Sequence, residues 1–198
     1  INMDLGTKIA PQQIKIIQDN PDFVVQGTAY STVVRMLFNN RSTTVDNFPW
    51  LADKNVRMAI GHAIDRDALV DDVMLGLTTT TWGPTSNTLP YYYNPEVAAL
   101  APEFNVDTAK QMLDDAGWTV GSDGIREKDG VRFAFTMPII DEAQNAAVGE
   151  VIKQWLLEVG IEVTLWIPDR ATFLDNINYA PEGLGEYAAV ITTGGTGP

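Results

Sequence analysis

The chain has 198 residues, 45% hydrophobic and 20% charged, with a net charge of −13 and no cysteine. That is enough for one large domain, or one and a half small ones, around a substantial core, and it excludes disordered and fibrous classes. The missing cysteines exclude disulfides, thiolate metal sites and cysteine nucleophiles, and 13 scattered lysines and arginines against 26 acidic residues leave no basic face for nucleic acid or an anionic membrane.

The acidic excess reads as a solubility feature or a saline or extracellular setting. No apolar run approaches the ~20 residues of a membrane span, and no basic, then apolar, leader opens the chain. The first residues, INMDLGTKIAPQQIKII, read as mid-domain sequence. The expectation is an excised piece whose upstream part, with any targeting signal, lies elsewhere.

Pro11 to Gln18 reads as a short helix, ended by Asn20-Pro21, followed by a strand from Phe23 to Val25 and a second, Val- and Thr-rich strand over Tyr30 to Asn39. Thr43 to Trp50 reads as loop. From Asp53 the period turns helical: Val56, Ala59, Ile60, Ala63 and Ile64 share one face, leaving Arg57, Met58 and His62 off the stripe. Asp65 is placed to cap a second helix through about Leu75, with Gly76 as its stop. Leu77 to Phe104 is a long loop holding Trp82 and the triplet Tyr91-Tyr92-Tyr93, and loops beyond ~15 residues are usually functional or wrapped on a scaffold. A third helix runs from Asp107 to Ala116 and stops at Gly117.

Two Asp-Gly turns, at 123–124 and 129–130, bracket Ile125 to Lys128 as a hairpin, and the second feeds a strand over Val131 to Ile140 in which Val131, Phe133 and Phe135 alternate with Arg132, Ala134 and Thr136. A long helix follows, with Val148, Val151, Ile152, Trp155, Leu156 and Val159 on one face and Gly160 at its end. Ile161 to Ile167 is a strand with Ile161, Val163, Leu165 and Ile167 on one side. A short helix spans about Arg170 to Asn178, and Glu186 to Thr192 is the last strand. The final third therefore reads β-α-β-α-β, an α/β class with parallel strands and right-handed crossovers.

Ligands of open α/β sheets bind beyond the carboxyl ends of the strands. Three such ends can be named here: Pro138 to Asp141, Pro168 to Arg170 and Thr192 to Gly195. Backbone N–H groups and two hydroxyls at the last would suit a polar or anionic group, with Arg170 adding charge. Two readings stay open: the TTGG stretch is a tight turn or a ligand approach, and Arg170 is a solvated helix start or part of the edge. Trp118, Trp155, Phe133 and Phe135 read as core. Trp82 and the tyrosines either stack on a ligand or cover the loop's own scaffold. Catalysis finds little support: the single histidine, His62, is a solvent-facing helix residue, and the Asp pairs at 71–72 and 114–115 diverge on their helices. No metal site with two histidines is possible, and no cofactor is indicated.

VRMAIGHAIDRDALVDDVMLG, preceded by FNN, resembles the family 5 extracellular solute-binding proteins, the oligopeptide and dipeptide binders of ABC importers. In that family a strand ending in asparagine leads into a VR-x-A helix and then a DR-x-x-[IL] helix. DTAKQMLDDAGW with SDGIREKDG is similar to its helix ending in AGW and its DGI hairpin, and LLEVGIEVTL to its GI-x-V segment. These marks keep the family's order from 1 to 198.

The resemblance implies a mixed sheet with flanking helices, one lobe of a type II, periplasmic-binding-protein-like clamp that closes over a small solute and delivers it to a membrane permease. Residues 1–27 would be the end of the other lobe and the hinge crossing, and 28–198 the ligand-binding lobe, cut short at its C-terminal end. It implies a monomer without enzymatic activity, in the periplasm or outside the cell, as a lipoprotein where a lipid tethers it. The ligand edge would comprise Trp82, Arg170, Thr192, Thr193, Gly194 and Thr196. Peptide-binding members often carry an aspartate for the peptide's amino terminus in the stretch matching Thr192 to Pro198, usually beside a tryptophan. Here those places are Thr196 and Thr193, so a sugar or another polar solute joins a peptide as the expected ligand. TTGGTG is also similar to the glycine-rich, pterin-facing motif of molybdopterin-binding enzymes, a six-residue likeness that makes a pterin enzyme one alternative. A protein-interaction domain is the other.

Overall fold

The computed structural model describes residues 11–25, 32–40, 42–83, 85–179 and 187–195. Strand β1 (Thr32–Phe38) opens the sheet, and a small antiparallel meander of β2 (Thr119–Val120), β3 (Arg126–Lys128) and β4 (Val131–Arg132) lies apart from it. The sheet continues with β5 (Ala134–Pro138), β6 (Glu162–Trp166) and β7 (Ala189–Gly195). β5 and β6 pair in parallel, and β1 and β7 pair antiparallel with Thr32 opposite Gly195 and Phe38 opposite Ala189. One parallel bridge, Ile139 opposite Ile191, joins the two pairs, giving the order β1-β7-β5-β6. The expected parallel arrangement of the final third is present, within a mixed sheet.

The helices are α1 (Pro11–Gln18), α2 (Ser42–Asn47), α3 (Lys54–His62), α4 (Arg66–Ala68), α5 (Val106–Asp115), α6 (Ala143–Glu158) and α7 (Arg170–Leu174). α6 is the crossover between β5 and β6. Val148, Ile152, Leu156 and Val159 of its expected stripe are buried, and Val151 and Trp155 pack at the margin of the core. α3 buries Val56, Ala59 and Ile60 as its period requires, and Ala63 and Ile64 follow them into the core.

Several local readings are corrected. Phe23 to Val25 is irregular rather than a strand, with Phe23 and Val24 exposed and unable to bury an alternating face. Thr43 to Trp50 is not loop: α2 and a 3₁₀ turn over Pro49–Ala52 occupy it. Trp50 is buried there among Phe38, Phe133 and Phe135, with ring centroids 5.0–6.1 Å away, and this tertiary packing organises a segment with no periodic signal of its own. The helix expected after Asp65 begins with that residue accepting from the Ala68 N–H, then widens into a π turn over Leu69–Val73. Likewise α7 passes into a π turn over Asp175–Tyr179.

Val131 to Ile140 is two strands. Phe133 lies at the break, where its N–H donates to the carbonyl of Arg126 in β3 and its carbonyl accepts from Glu162 at the start of β6. The pleat changes sheets at that residue, which leaves Val131 exposed while Phe133 and Phe135 are buried. Ile167, placed with the inward face of β6, is exposed beyond the strand's end. The last strand runs further than expected, through Gly195, so the glycines of TTGG are paired strand residues, not a turn. Glu186, where that strand was expected to start, lies outside the described residues.

Candidate functional site

The carboxyl ends of β5 and β7 and the first turn of α6 meet at one edge of the sheet. Side chains alternate along a strand, so the end of β7 presents two faces. Ile191 and Thr193 face the main core, opposite Met36 and Val34 of β1. Val190, Thr192 and Gly194 face the other way, where Val190 joins Ile140 and Phe173 in a small second cluster.

On the first face, Asn145 in the opening turn of α6 is fully buried. Its Nδ2 donates to the Thr193 hydroxyl at 2.8 Å and, more weakly, to the Ile140 carbonyl at 3.5 Å, while its Oδ1 is buried without a partner among the described residues. This bond ties β7 to the helix start.

The residue before α6, Glu142, leaves its carboxylate out of any capping bond and pairs instead with Arg170 at 3.3 Å. Arg170 opens α7, whose start is held by Asp169. That carboxylate accepts from the Ala171 and Thr172 N–H groups at 3.0 and 3.1 Å and from the Thr172 hydroxyl at 2.6 Å. The hydroxyl bond, followed by the backbone N–H bonds, holds the Asp169 carboxyl below the usual aspartate range. Thr193 and Arg170 are thus both tied to the start of α6, Thr193 through Asn145 in its first turn and Arg170 through Glu142 just before it.

On the second face, Arg35 of β1 stands directly across from Thr192. Its guanidinium covers Gly194, where a Cβ would run into Nη2 and lie 3.2 Å from Cζ, so glycine is what lets the arginine lie down there. The Arg35 Nε is buried and has no hydrogen-bond partner among the described residues.

The other expected site residues separate from this edge or fall outside it. Trp82 packs its ring over the Arg66 guanidinium, 4.9 Å from Cζ to the centroid, and Arg66 in turn donates to the carbonyls of Gly61 and Ile64. Of the two open readings for Trp82, this contact is cover for the helical scaffold. Tyr91 and Tyr92 are exposed, edge to face with one another. Thr196 lies outside the described residues. Because 192–195 are strand, they do not form the loop that the pterin likeness requires.

His62 is engaged structurally, its Nδ1 2.6 Å from the Glu103 carbonyl. Among the described residues no cluster of three or more His, Asp or Glu side chains could hold a metal ion, and no helix is long and apolar enough to cross a membrane.

Sequence reasoning missed Arg35, Glu142 and Asn145. Arg35 left a signal, as the single charge inside the otherwise uncharged strand TVVRMLF. Asn145 left none, because one amide in the first turn of a helix is ordinarily solvated.

The sequence profile of the bacterial extracellular solute-binding proteins, family 5 Middle, matches residues 2–196. The chain is 30% identical over 170 residues to the oligopeptide-binding protein AppA of Bacillus subtilis, a match that takes in 79% of this chain and 31% of that protein. The structure of Bacillus subtilis AppA in complex with a nonapeptide superposes with a TM-score of 0.77 at 25% identity, covering 96% of this chain and 37% of that one. The nickel-binding periplasmic protein of Escherichia coli is 28% identical over 116 residues, 56% of this chain and 21% of its own length. The chain therefore spans between about a fifth and two fifths of the length of these relatives, and it shares the mixed α/β fold of the AppA structure. With its profile match running nearly end to end, the chain belongs to the bacterial extracellular solute-binding proteins, family 5.

Proposed function

We propose that this chain is the ligand-binding lobe of the substrate-binding component of an ABC importer, capturing a short peptide by hinge closure and handing it to a membrane permease. In this reading the protein is not an enzyme, acts as a monomer in the periplasm or outside the cell, in lipoprotein form where it is tethered, and uses residues 1–27 as hinge and edge of the second lobe. The observation that carries it is the match to AppA, named as an oligopeptide-binding protein and solved around a nonapeptide, through most of this chain.

The strand-end residues Thr192, Thr193 and Gly194 supply hydroxyl and backbone groups where an α/β sheet binds its ligand, with Arg170 alongside and Thr196 following. Trp82 enters this reading only as an expected ligand contact, since its ring packs over Arg66. A sugar or another polar solute is the second reading. It is favoured by threonines standing where peptide binders often place an aspartate and a tryptophan.

Native mass spectrometry of the gently purified intact protein tests this. A ladder of peptide masses released on denaturation is the expected result. A single oligosaccharide mass establishes the second reading, bound nickel moves the protein toward its nickel-binding relative, and a stable protein complex without a small ligand sinks the transport reading.

A further inference from the structure

Every other described arginine is satisfied. Arg57 donates to the Leu51 carbonyl, Arg66 to two carbonyls, Arg126 to three carbonyls and Asp114, Arg132 to Asp123 and Glu162, and Arg170 to Glu142. Arg35 is the exception: half-buried, its Nε shut off from solvent, and without a hydrogen bond or ion pair among the described residues. A guanidinium stays charged at any pH a protein survives, and a desolvated N–H without an acceptor costs free energy. In a chain with 26 acidic residues, a carboxylate partner would be easy to supply from within, yet none of the described ones is placed there.

The surroundings point to where the partner comes from. Arg35 lies beside the carboxyl end of β7, at the edge where the ligand is expected. The Thr192 hydroxyl is directly across the strand pair on the same face, and Gly194 holds the room open. A planar fork of donors beside a hydroxyl matches a carboxylate, which accepts two parallel N–H bonds from arginine and a further bond from an alcohol.

We propose that Arg35, with Thr192 and over Gly194, is the binding site for a carboxylate of the transported solute. For a peptide ligand this is its terminal carboxylate. The inference rests on the solute-binding reading above and adds the chemical class that the lobe selects: ligands carrying an anion, with Arg35 as the residue that discriminates.

The test is isothermal titration of the intact protein with two pentapeptide libraries of neutral side chains, one of free acids and one of C-terminal carboxamides. Wild-type protein is expected to bind the free acids about 10- to 100-fold more tightly, the range a charged hydrogen bond supplies. Arg35→Gln erases that difference while melting like wild type, and Arg35→Lys restores part of it. Gly194→Ala, which displaces the guanidinium, lowers free-acid affinity in the wild-type background and has no further effect on Arg35→Gln, as expected of two changes acting through one contact.

Equal affinity for both libraries, or undiminished discrimination in Arg35→Gln, overturns the inference. If the wild-type protein binds neither library, the peptide reading fails separately. The co-purified ligand then decides for Arg35: an anionic solute retained by wild type and lost from Arg35→Gln supports the site, and an uncharged one ends it.

Discussion

Arg126 is the most heavily used polar side chain among the described residues. Only 2% exposed, it donates from Nε to the Val159 carbonyl at 2.8 Å, from Nη1 to the Trp118 carbonyl and Asp114 at 2.5 Å each, and from Nη2 to the Lys110 carbonyl at 3.3 Å. The Val159 carbonyl is at the C-cap of α6, where unpaired C=O groups accumulate negative partial charge, the Trp118 carbonyl lies just past the end of α5 and the Lys110 carbonyl within it, so one cation ties the end of α6 to α5 and the segment that follows it. Replacing it by leucine orphans buried acceptors, and the expected cost is about 3 kcal/mol. Asp114 is 53% exposed, so Asp114→Asn should cost less than about 1 kcal/mol. Urea denaturation of the two variants measures both. Comparable losses would mean that the ion pair, not the carbonyl bonds, accounts for Arg126's place in the core.

At the scale of the elements, the start of α7 and the end of α6 rest on single residues. Gly160 terminates α6 with φ +83°, and a Cβ there would lie 2.8 Å from the Arg126 Cγ and 3.1 Å from the Gly124 carbonyl oxygen. Left-handed strain and collision add, so Gly160→Ala is expected to lose about 2 kcal/mol in the same denaturation assay. Asp169 caps α7 and has its folded pKa held down by Thr172. A depressed carboxyl stabilises fully above its unfolded pKa, and that contribution drains away as pH falls through the folded value. Asp169→Ala should therefore lower the melting temperature at pH 7, with the gap to wild type narrowing as the pH drops below about 4. A gap of constant size down to pH 2 would show that the charge does not contribute to the cap. Arg132 is part of a comparable exposed cluster, its pKa raised by Glu162 and Asp123.

For the whole molecule, the proposed function predicts linkage between ligand and stability. A solute that binds only the folded protein, at a hundred times its dissociation constant, adds about 2.7 kcal/mol to the intact protein. Thermal melting with and without the solute identified by native mass spectrometry should show the corresponding rise. An unchanged melting temperature would reject specific capture by the folded state.

Much of this architecture is written locally. The helical stripe ending at Val159, the Asp129-Gly130 turn with both φ values positive, the caps at Asp53, Asp65 and Asp169 and the parallel β5-α6-β6 unit each depend on periods, turn chemistry and crossover rules that a short stretch of chain carries by itself. The ordered family motifs are equally sequence-borne, because each is a short stretch whose residues and spacing mark the family without any tertiary contact. What depended on distant partners was not readable in that way. Trp50 needed Phe38, Phe133 and Phe135 to give a loop-like segment its shape. The glycines of TTGG became strand because β1, more than 150 positions earlier in the chain, supplied the hydrogen-bonding edge. The expected edge divided for the same reason: strand alternation turns Thr193 toward Asn145 and leaves Thr192 and Gly194 with Arg35. Local pattern determines which element a segment forms and which side is apolar, whereas strand pairing decides which neighbours a polar side chain meets, and here that pairing placed Arg35, without a partner among the described residues, across from Thr192 at the carboxyl end of β7.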